Sequence, residues 1–405
     1  MRDNLNILYI WDADYPWDIR VEKICEALKN NGHRVHIASR NLKKLPVKEC
    51  LNGINVHRLK AWKSDKLNYF FSFPLFFSPV WKRFLDDILK SNSVDVIIVR
   101  DLPMAIAGIR AGKRFNIPVI FDMAEDYVAM INDVWKVRKF QGLNLIIRNP
   151  YLAKLVERYT FQRSDQILVV VDEAIEVVKK GGGDTGKITI VSNTPELASF
   201  GKEQNLQNND IELIKGHYSA IYTGGIQMGR GIQCVLDAIP KIIQNIPDFL
   251  FVIVGDGYAK EILNKIVMEK SLEKHVLWIG WVDHSELYDY IKACRIGIIP
   301  HLVTNHVSTT IPNKIFDYMG CGIPVISSDA KPMKRIVDEE QCGITFENSN
   351  ADSLAKAILE VFNSNIDYGK NGEEAVRRKY NWREDEKRLC KALEKLQLTF
   401  NNKSL

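Results

Sequence analysis

The chain has 405 residues, 46% hydrophobic and 26% charged, a globular composition too long for one ordinary core, so two domains are expected. No run of about 18 apolar residues is present to span a bilayer, and the N-terminal MRDNLNILYI lacks the three regions of a signal peptide, which predicts a cytoplasmic address. The net charge of +5 is uneven, with 30 Lys and Arg against 23 Asp and Glu in residues 1–200; this is a solvated face or a surface for anionic lipid or glycan, and no nucleic-acid motif accompanies it.

Short apolar runs alternate with helical stretches in chain order. Strands are predicted at 7–10, 34–39, 54–59, 95–99, 118–121, 166–171 and 188–191, and the pattern restarts at 218–223, 250–254, 276–280, 296–300, 324–328 and 343–346. Their Val and Ile runs are those of strands covered on both faces. The polar, periodicity-poor stretch 199–217 reads as a linker. The expectation is an α/β protein of two doubly wound, Rossmann-like domains, 1–200 and 217–379, with ligands at the carboxyl ends of the strands in a cleft.

Three further segments leave alternatives open. The aromatic stretch 67–81, LNYFFSFPLFFSPVW, is either core with a proline-interrupted helix or an amphipathic patch for a lipid-linked substrate. The tail 380–397, with Leu389, Leu393 and Leu396 near helical spacing, is a helix that stays on the second domain or crosses back to the first. The seven cysteines are odd in number and scattered, without C-x-x-C, and read as reduced small hydrophobes rather than a zinc site.

The second half holds the chemistry-bearing segments. The strand of 220–242 runs into Gly224-Gly225 and, past Gly229, into a helix; glycines let backbone amides approach a phosphate, and Arg230 adds a fork of donors. The same turn with Arg230 as a surface charge is the plain alternative. Residues 250–263 repeat strand, Gly255-Asp256-Gly257, helix. Strand 296–300 then enters a polar loop, His301 to Thr310, and Pro312 stands at a first-turn helix position, followed by Asn313, Lys314 and, one turn on, Asp317. A helix start fed from a strand's carboxyl edge can hold a phosphate, and Asp317 is spaced to accept from a ribose. Most such loops in α/β proteins bind nothing. His301 and His306, five apart with no carboxylate between them, make a poor metal pair.

The run from Thr310 to Val325 resembles the donor-binding motif of family-4, retaining, GT-B glycosyltransferases, in the branch reading T-x-P-N-K-[LI]-F-x-Y-M-x-x-G-x-P-V. What the resemblance implies is a GT-B fold that needs neither cofactor nor metal and moves a sugar from a nucleotide diphosphate sugar to a hydroxyl of a glycan or lipid-linked acceptor. The enzyme would act in surface polysaccharide or glycoconjugate synthesis, at the inner face of the membrane if it contacts anionic lipid. The implied donor site is Gly224, Gly225, Arg230, Gly255, Gly257, Trp281, Val282, His301, Thr309, Thr310, Pro312, Asn313, Lys314 and Asp317. Trp281 either stacks on the base or is buried.

The first half carries weaker likenesses. Asp18 and Arg20 stand in the D-x-R-V form of the family's opening helix and are acceptor-side candidates, with the loop Asp12 to Asp18 facing the acceptor. Residues 118–130 resemble the D-x-H-E segment, making Asp122 and Glu125 the candidate catalytic carboxylates. Three positions depart from the family pattern: Gly225 replaces a phosphate-gripping Arg, Ala124 a histidine and Thr309 the first acid of E-x7-E. Two other readings therefore stand beside the transferase, a nucleotide-sugar epimerase and a non-catalytic nucleotide-sugar-binding protein.

Overall fold

The computed structural model describes residues 4–73, 78–137, 145, 148–200 and 208–403. The chain divides into two compact units, one of residues 1–192 with 385–405 and one of residues 193–384.

The first unit holds an eight-stranded sheet of β1 (Asn6–Ile10), β2 (Arg34–Ser39), β3 (Lys48–Leu51), β4 (Ile54–Arg58), β5 (Val96–Arg100), β6 (Val119–Met123), β7 (Gln166–Val169) and β8 (Ile188–Ile190). Its order is β3-β4-β2-β1-β5-β6-β7-β8, parallel throughout except for β3 against β4. The chain leaves β1 in one direction and returns at β5 in the other, so the strand order reverses between them. The carboxyl ends of β1 and β5 thereby form the crevice where doubly wound sheets bind ligands. One face of the sheet, with Leu8, Ile10, Ile97 and Val99, packs on Trp81, Leu85 and Ile88 of the helix Pro79–Ser91. Helix Asp101–Phe115 approaches β5 so closely that a Cβ at Gly108 would overlap the Val99 side chain.

β3 lies outside the strands predicted. Its residues, Lys-Glu-Cys-Leu, alternate exposed and half-buried at the sheet edge, so no apolar run marks it. The signal was the turn: Asn52 (φ 50°) and Gly53 (φ 81°) both take the left-handed region, the backbone of a two-residue hairpin.

The second unit holds a six-stranded, all-parallel sheet of β9 (Tyr218–Thr223), β10 (Phe249–Val254), β11 (Val276–Gly280), β12 (Ile296–Ile299), β13 (Val325–Ser328) and β14 (Gly343–Phe346), in the order β11-β10-β9-β12-β13-β14. Here the order reverses between β9 and β12. The ring of Tyr318, on the helix Lys314–Gly320, lies over Gly297 of β12, where a Cβ would collide with it, and its hydroxyl accepts from the Thr223 N–H at 3.0 Å. This bond fixes the donor-motif helix to the end of β9.

Two expectations about the chain's course need correction or resolution. The stretch 199–217 contains a helix, Asn209–Lys215, capped by the Asn208 side chain and burying Ile211 and Ile214, and the first unit ends at Ser192. Residues 201–207 of that stretch lie outside the described residues. The helix Trp382–Lys403 begins in the second unit, and from Asp385 onward it groups with the first. There Asp385 accepts from the Ser192 N–H at 3.1 Å, Asn31 donates to Glu386 at 2.7 Å, and Leu389, Leu393 and Leu396 are buried. The helix therefore crosses back, and the alternative of a free-standing tail on the second unit is overturned.

Candidate active site

In the second unit Gly224, Gly255, Gly257, Arg230, His301 and Lys314 of the expected donor site come together around the β9/β12 reversal, while Trp281 and Val282 follow β11 at the sheet edge. Past β9 the backbone turns at Gly224, with φ +114°, and its N–H donates to the Val254 carbonyl at 2.8 Å. Gly255, with φ +139°, comes so near Gly224 that a Cβ would strike the Gly224 carbonyl, and one at Gly257 would strike that of Ile226. These two turns can lie this close only without side chains. Gly224 and Gly225 are exposed, and the Tyr222 hydroxyl donates to the Gly225 carbonyl at 2.9 Å, holding the loop open toward solvent.

Two cations face this rim. Arg230 Nη1 stands 3.5 Å from His301 Nε2, at the outer limit of a hydrogen bond, and Lys314 Nζ lies 3.9 Å from the centre of the Tyr222 ring. Neither cation forms an ion pair with a carboxylate among the described residues. Burial, together with Arg230, pulls the Lys314 amine well below the usual lysine range, against the pull of Asp317. Burial lowers His301 as well, aided by Lys314 and Arg230, so the buried imidazole is neutral and accepts from the guanidinium. A rim with two such cations lacks a counter-anion.

The remaining residues of the motif sort by exposure. Asn313 is exposed at the helix start, Pro312 half-buried beside it, and Asp317 accepts from Tyr288 at 3.4 Å. The Thr309 hydroxyl donates to the Asn305 and His306 carbonyls and that of Thr310 to the His306 carbonyl. These bonds fold the loop into turns. Trp281 is 74% exposed rather than buried, and Val282 is half-buried next to it.

The first unit corrects two expectations. Asp122, a candidate catalytic carboxylate, is wholly buried, and Arg20, a candidate acceptor-side residue, is the group that covers it. Arg20 Nη2 and Nε donate to Asp122 Oδ1 at 2.6 and 3.1 Å, the Tyr9 hydroxyl donates to Oδ2 at 2.6 Å, and Arg20 Nη1 donates to the Val191 carbonyl at 2.8 Å. Burial would raise the Asp122 carboxyl, but Arg20, Arg100 and the Tyr9 hydroxyl outweigh it and hold it below the usual range. This is a buried ion pair joining β1, β6 and the exit of β8, with the Asp122 carboxylate shut away from solvent.

Asp18 caps the helix Ile19–Asn30 by accepting from the Val21 N–H at 3.0 Å and takes a bidentate pair from Arg100, at 2.7 and 3.3 Å. Arg100 also donates to Asp101 at 3.0 Å, and Asp101 Oδ1 accepts from the N–H groups of Ala124 and Glu125 at 3.1 and 3.2 Å. Asp101 has φ +54°, the left-handed region that a non-glycine residue enters at a cost. Arg100 and Asp101 escaped the sequence reading. Their signal was a charged pair directly after the apolar run of β5, at the edge where ligands bind. Glu125 is half-buried, its backbone set by Asp101.

Two family models cover most of the chain. Residues 19–197 match the Glycosyltransferase Family 4 model and residues 217–364 the Glycosyl transferases group 1 model. The chain is a glycosyltransferase of the GT-B fold. An uncharacterized glycosyltransferase of Methanocaldococcus jannaschii is 20% identical over 372 residues, 90% of each chain. The UDP-Gal:alpha-D-GlcNAc-diphosphoundecaprenol alpha-1,3-galactosyltransferase of Escherichia coli is 22% identical over 289 residues, 69% of each. Among solved structures, sucrose-phosphate synthase from Thermosynechococcus elongatus superposes with a TM-score of 0.77 at 18% identity, over 98% of this chain and 100% of that one. Both matched models are transferase models, which favours this GT-B glycosyltransferase over the epimerase alternative.

Proposed function

We propose that this GT-B glycosyltransferase moves a sugar, with retention and without a metal, from a nucleotide diphosphate sugar to a hydroxyl of a lipid-linked or glycan acceptor in surface polysaccharide or glycoconjugate synthesis. The observation that carries the donor reading is the pair Arg230 and Lys314, two cations without a carboxylate partner at the reversal point of the second sheet. A diphosphate supplies the missing charge, the exposed Gly224-Gly225 turn admits it closely, and the exposed Trp281 ring offers a stacking face for the base. The donor and acceptor in the name of the Escherichia coli relative, a UDP-sugar and a diphosphoundecaprenol-linked sugar, are of the proposed classes.

The acceptor class is supported by the helix Asp65–Ser72, whose amphipathicity is inverted. It turns Asn68 and Ser72 inward, where Asn68 donates to the Asn41 carbonyl at 2.8 Å and Ser72 accepts from Arg40 at 2.9 Å. Leu67, Tyr69 and Phe70 are left exposed, with exposed Lys63 and Lys66 on or just before the same helix. Apolar side chains facing out beside lysines match the boundary of an anionic bilayer. Residues 74–77 of the aromatic stretch lie outside the described residues, and no described helix is long and apolar enough to cross a membrane.

The test is a melting-shift screen of UDP-, GDP- and ADP-sugars, followed by product analysis with EDTA present and flotation on phosphatidylglycerol or phosphatidylcholine vesicles. A selective donor, an anomeric configuration kept in the product, indifference to EDTA and flotation only on the anionic vesicles are expected. Failure of every donor to bind defeats the reading, and binding without turnover to any acceptor makes the chain a non-catalytic nucleotide-sugar-binding protein.

A further inference from the structure

Asp101 begins the helix Asp101–Phe115 at the carboxyl end of β5, where an aspartate ordinarily turns its carboxylate onto the free N–H groups of its own first turn. Among the described residues this carboxylate bonds elsewhere. Oδ1 accepts from the N–H groups of Ala124 and Glu125, at 3.1 and 3.2 Å, and Oδ2 from Arg100 Nε at 3.0 Å. The residue reaches them from the left-handed region, with φ +54°, and its side chain is only 12% exposed. Arg100 is itself bidentate to Asp18, so the turn after β6 is tied through Asp101 to the helix start after β1.

A strained backbone that also withholds its carboxylate from its own helix costs the fold stability, and such strain persists where a site is built with it. What the arrangement secures is the turn after β6. Asp122 lies opposite Arg100 in the β5/β6 register and is fixed by Arg20 and Tyr9. Asp126 accepts from the Ala129 N–H at 2.9 Å, at the start of the helix Tyr127–Val137. Between these anchors Ala124 and Glu125 belong to neither strand nor helix, and Asp101 ties both of their N–H groups. We propose that Asp101 is a positioning residue for sugar transfer: by fixing the Ala124-Glu125 turn it holds the Glu125 carboxylate in one place for the transfer step. The inference rests on the glycosyltransferase reading with Glu125 as its candidate catalytic carboxylate, and adds the residue on which Glu125 depends. In that step the acceptor oxygen bonds to the anomeric carbon as the bond to the diphosphate oxygen breaks. The acceptor proton passes to the departing diphosphate, and the Glu125 carboxylate stabilises the positive charge that develops at the carbon. Asp101 acts through Glu125 and not on the substrate, both of its oxygens being occupied.

The experiment compares native protein with Asp101→Gly, which keeps the left-handed backbone without strain and removes only the carboxylate, and with Asp101→Asn, which keeps an acceptor oxygen and tolerates the same backbone. Release of the nucleoside diphosphate from UDP-glucose, UDP-galactose and GDP-mannose, to water and to octyl glucoside, is followed beside donor affinity, melting and hydrogen exchange of residues 118–130. In Asp101→Gly the expected result is faster exchange at Ala124 and Glu125, an unchanged donor affinity and KM, and a kcat lower by about tenfold to a hundredfold. Asp101→Asn should recover most of that loss, because its carbonyl still accepts from both N–H groups. In a Glu125→Gln background Asp101→Gly should slow turnover no further, since the carboxylate it positions is gone. Native turnover in Asp101→Gly overturns the inference, and so do losses that add in the double variant. A loss that Asp101→Asn does not recover also overturns it, by placing the Asp101 charge itself in the reaction, as does weaker donor binding in step with a lower melting temperature, which marks a role in the fold alone. Native turnover in Glu125→Gln defeats the inference and leaves the glycosyltransferase reading standing. If the native protein turns over none of the donors, it is that reading that fails, and the inference falls with it.

Discussion

Lys314 stands with its Nζ 3.9 Å from the centre of the Tyr222 ring, and a Cβ on Gly224 would come within 3.3 Å of the same nitrogen. The absence of a side chain at Gly224 is therefore what leaves the amine room at the end of β9. Burial and Arg230 lower this amine well below the usual lysine range, so before any donor arrives it holds its proton less tightly than an ordinary lysine. A diphosphate beside it favours the charged form and raises the pKa again. Donor binding is expected to take up protons, which calorimetry in buffers of different ionisation enthalpy detects as a buffer-dependent heat. Lys314→Met should abolish that dependence. A heat identical in all buffers for the native protein would show that the amine stays charged throughout.

The Arg20–Asp122 pair makes a different kind of prediction, one about the fold. Both groups are buried, so removing one leaves the other uncompensated, and Asp122→Asn or Arg20→Met should each cost about 3–5 kcal/mol. The sign with pH follows from the depressed carboxyl. Its stabilisation is fully present above the ordinary carboxylate range and is lost only as pH falls through the lower folded value. Urea titrations at pH 7 give the cost of each variant, and a series carried down to pH 3 follows the acid loss. A variant within about 0.5 kcal/mol of native would mean that the pair contributes nothing beyond a surface contact.

Much of this architecture was legible because strands covered on both faces announce themselves as Val and Ile runs, and the Thr310 to Val325 segment carries its helix start, Lys314, Asp317 and two glycines within sixteen residues. What failed was everything that depends on partners distant in sequence. Asp122 looked catalytic from its neighbours in the chain, but Arg20, 102 residues away, covers it completely. The charged pair Arg100-Asp101 after the β5 run was visible, but its task was not, because it holds Asp18 and the Ala124-Glu125 backbone on other elements. The stretch 199–217 looked like a linker because two inward isoleucines in a seven-residue helix are too few to set up a period.

A second pH effect lies on the far side of the first sheet. His36 on β2 and His57 on β4 are buried and stacked, with Nδ1 of one 3.1 Å from Nε2 of the other, so at least one ring nitrogen of the contact must be unprotonated. Burial first, then His36 and Lys48, lowers His57 to about 4. The unfolded chain thus binds a proton at pH values where the folded one does not. Stability should be intact above about pH 6.5 and fall steadily toward pH 4, by up to about 3 kcal/mol at 1.36 kcal/mol per unit. His57→Gln should flatten the fall between pH 6.5 and 4.5 in melting curves, whatever it does to stability at pH 7.5. An unaltered slope would assign the acid sensitivity to other groups.

Gly231 gives the sharpest test that the donor rim is one preorganised unit. It follows Arg230, takes φ +72°, and lies so near the end of β12 that a Cβ would overlap the Pro300 carbonyl, while the Leu302 N–H donates to the Gly229 carbonyl at 3.2 Å. These contacts clamp the loop carrying Arg230 onto the loop carrying His301, across the point where the strand order reverses. Gly231→Ala imposes a strained backbone and a collision with main chain that cannot rotate away, at a cost of about 1–3 kcal/mol. The collision must separate Arg230 from His301, so donor affinity should fall about as far as in Arg230→Ala, some tenfold to a hundredfold for one charge-assisted contact at about 1.5–3 kcal/mol. Gly229→Ala, whose Cβ would meet nothing within 4 Å, is the matched control for the loop's flexibility. Equal donor affinities in Gly231→Ala and Gly229→Ala would mean that Arg230 finds the diphosphate without the clamp, and that the rim is assembled by the ligand rather than by the fold.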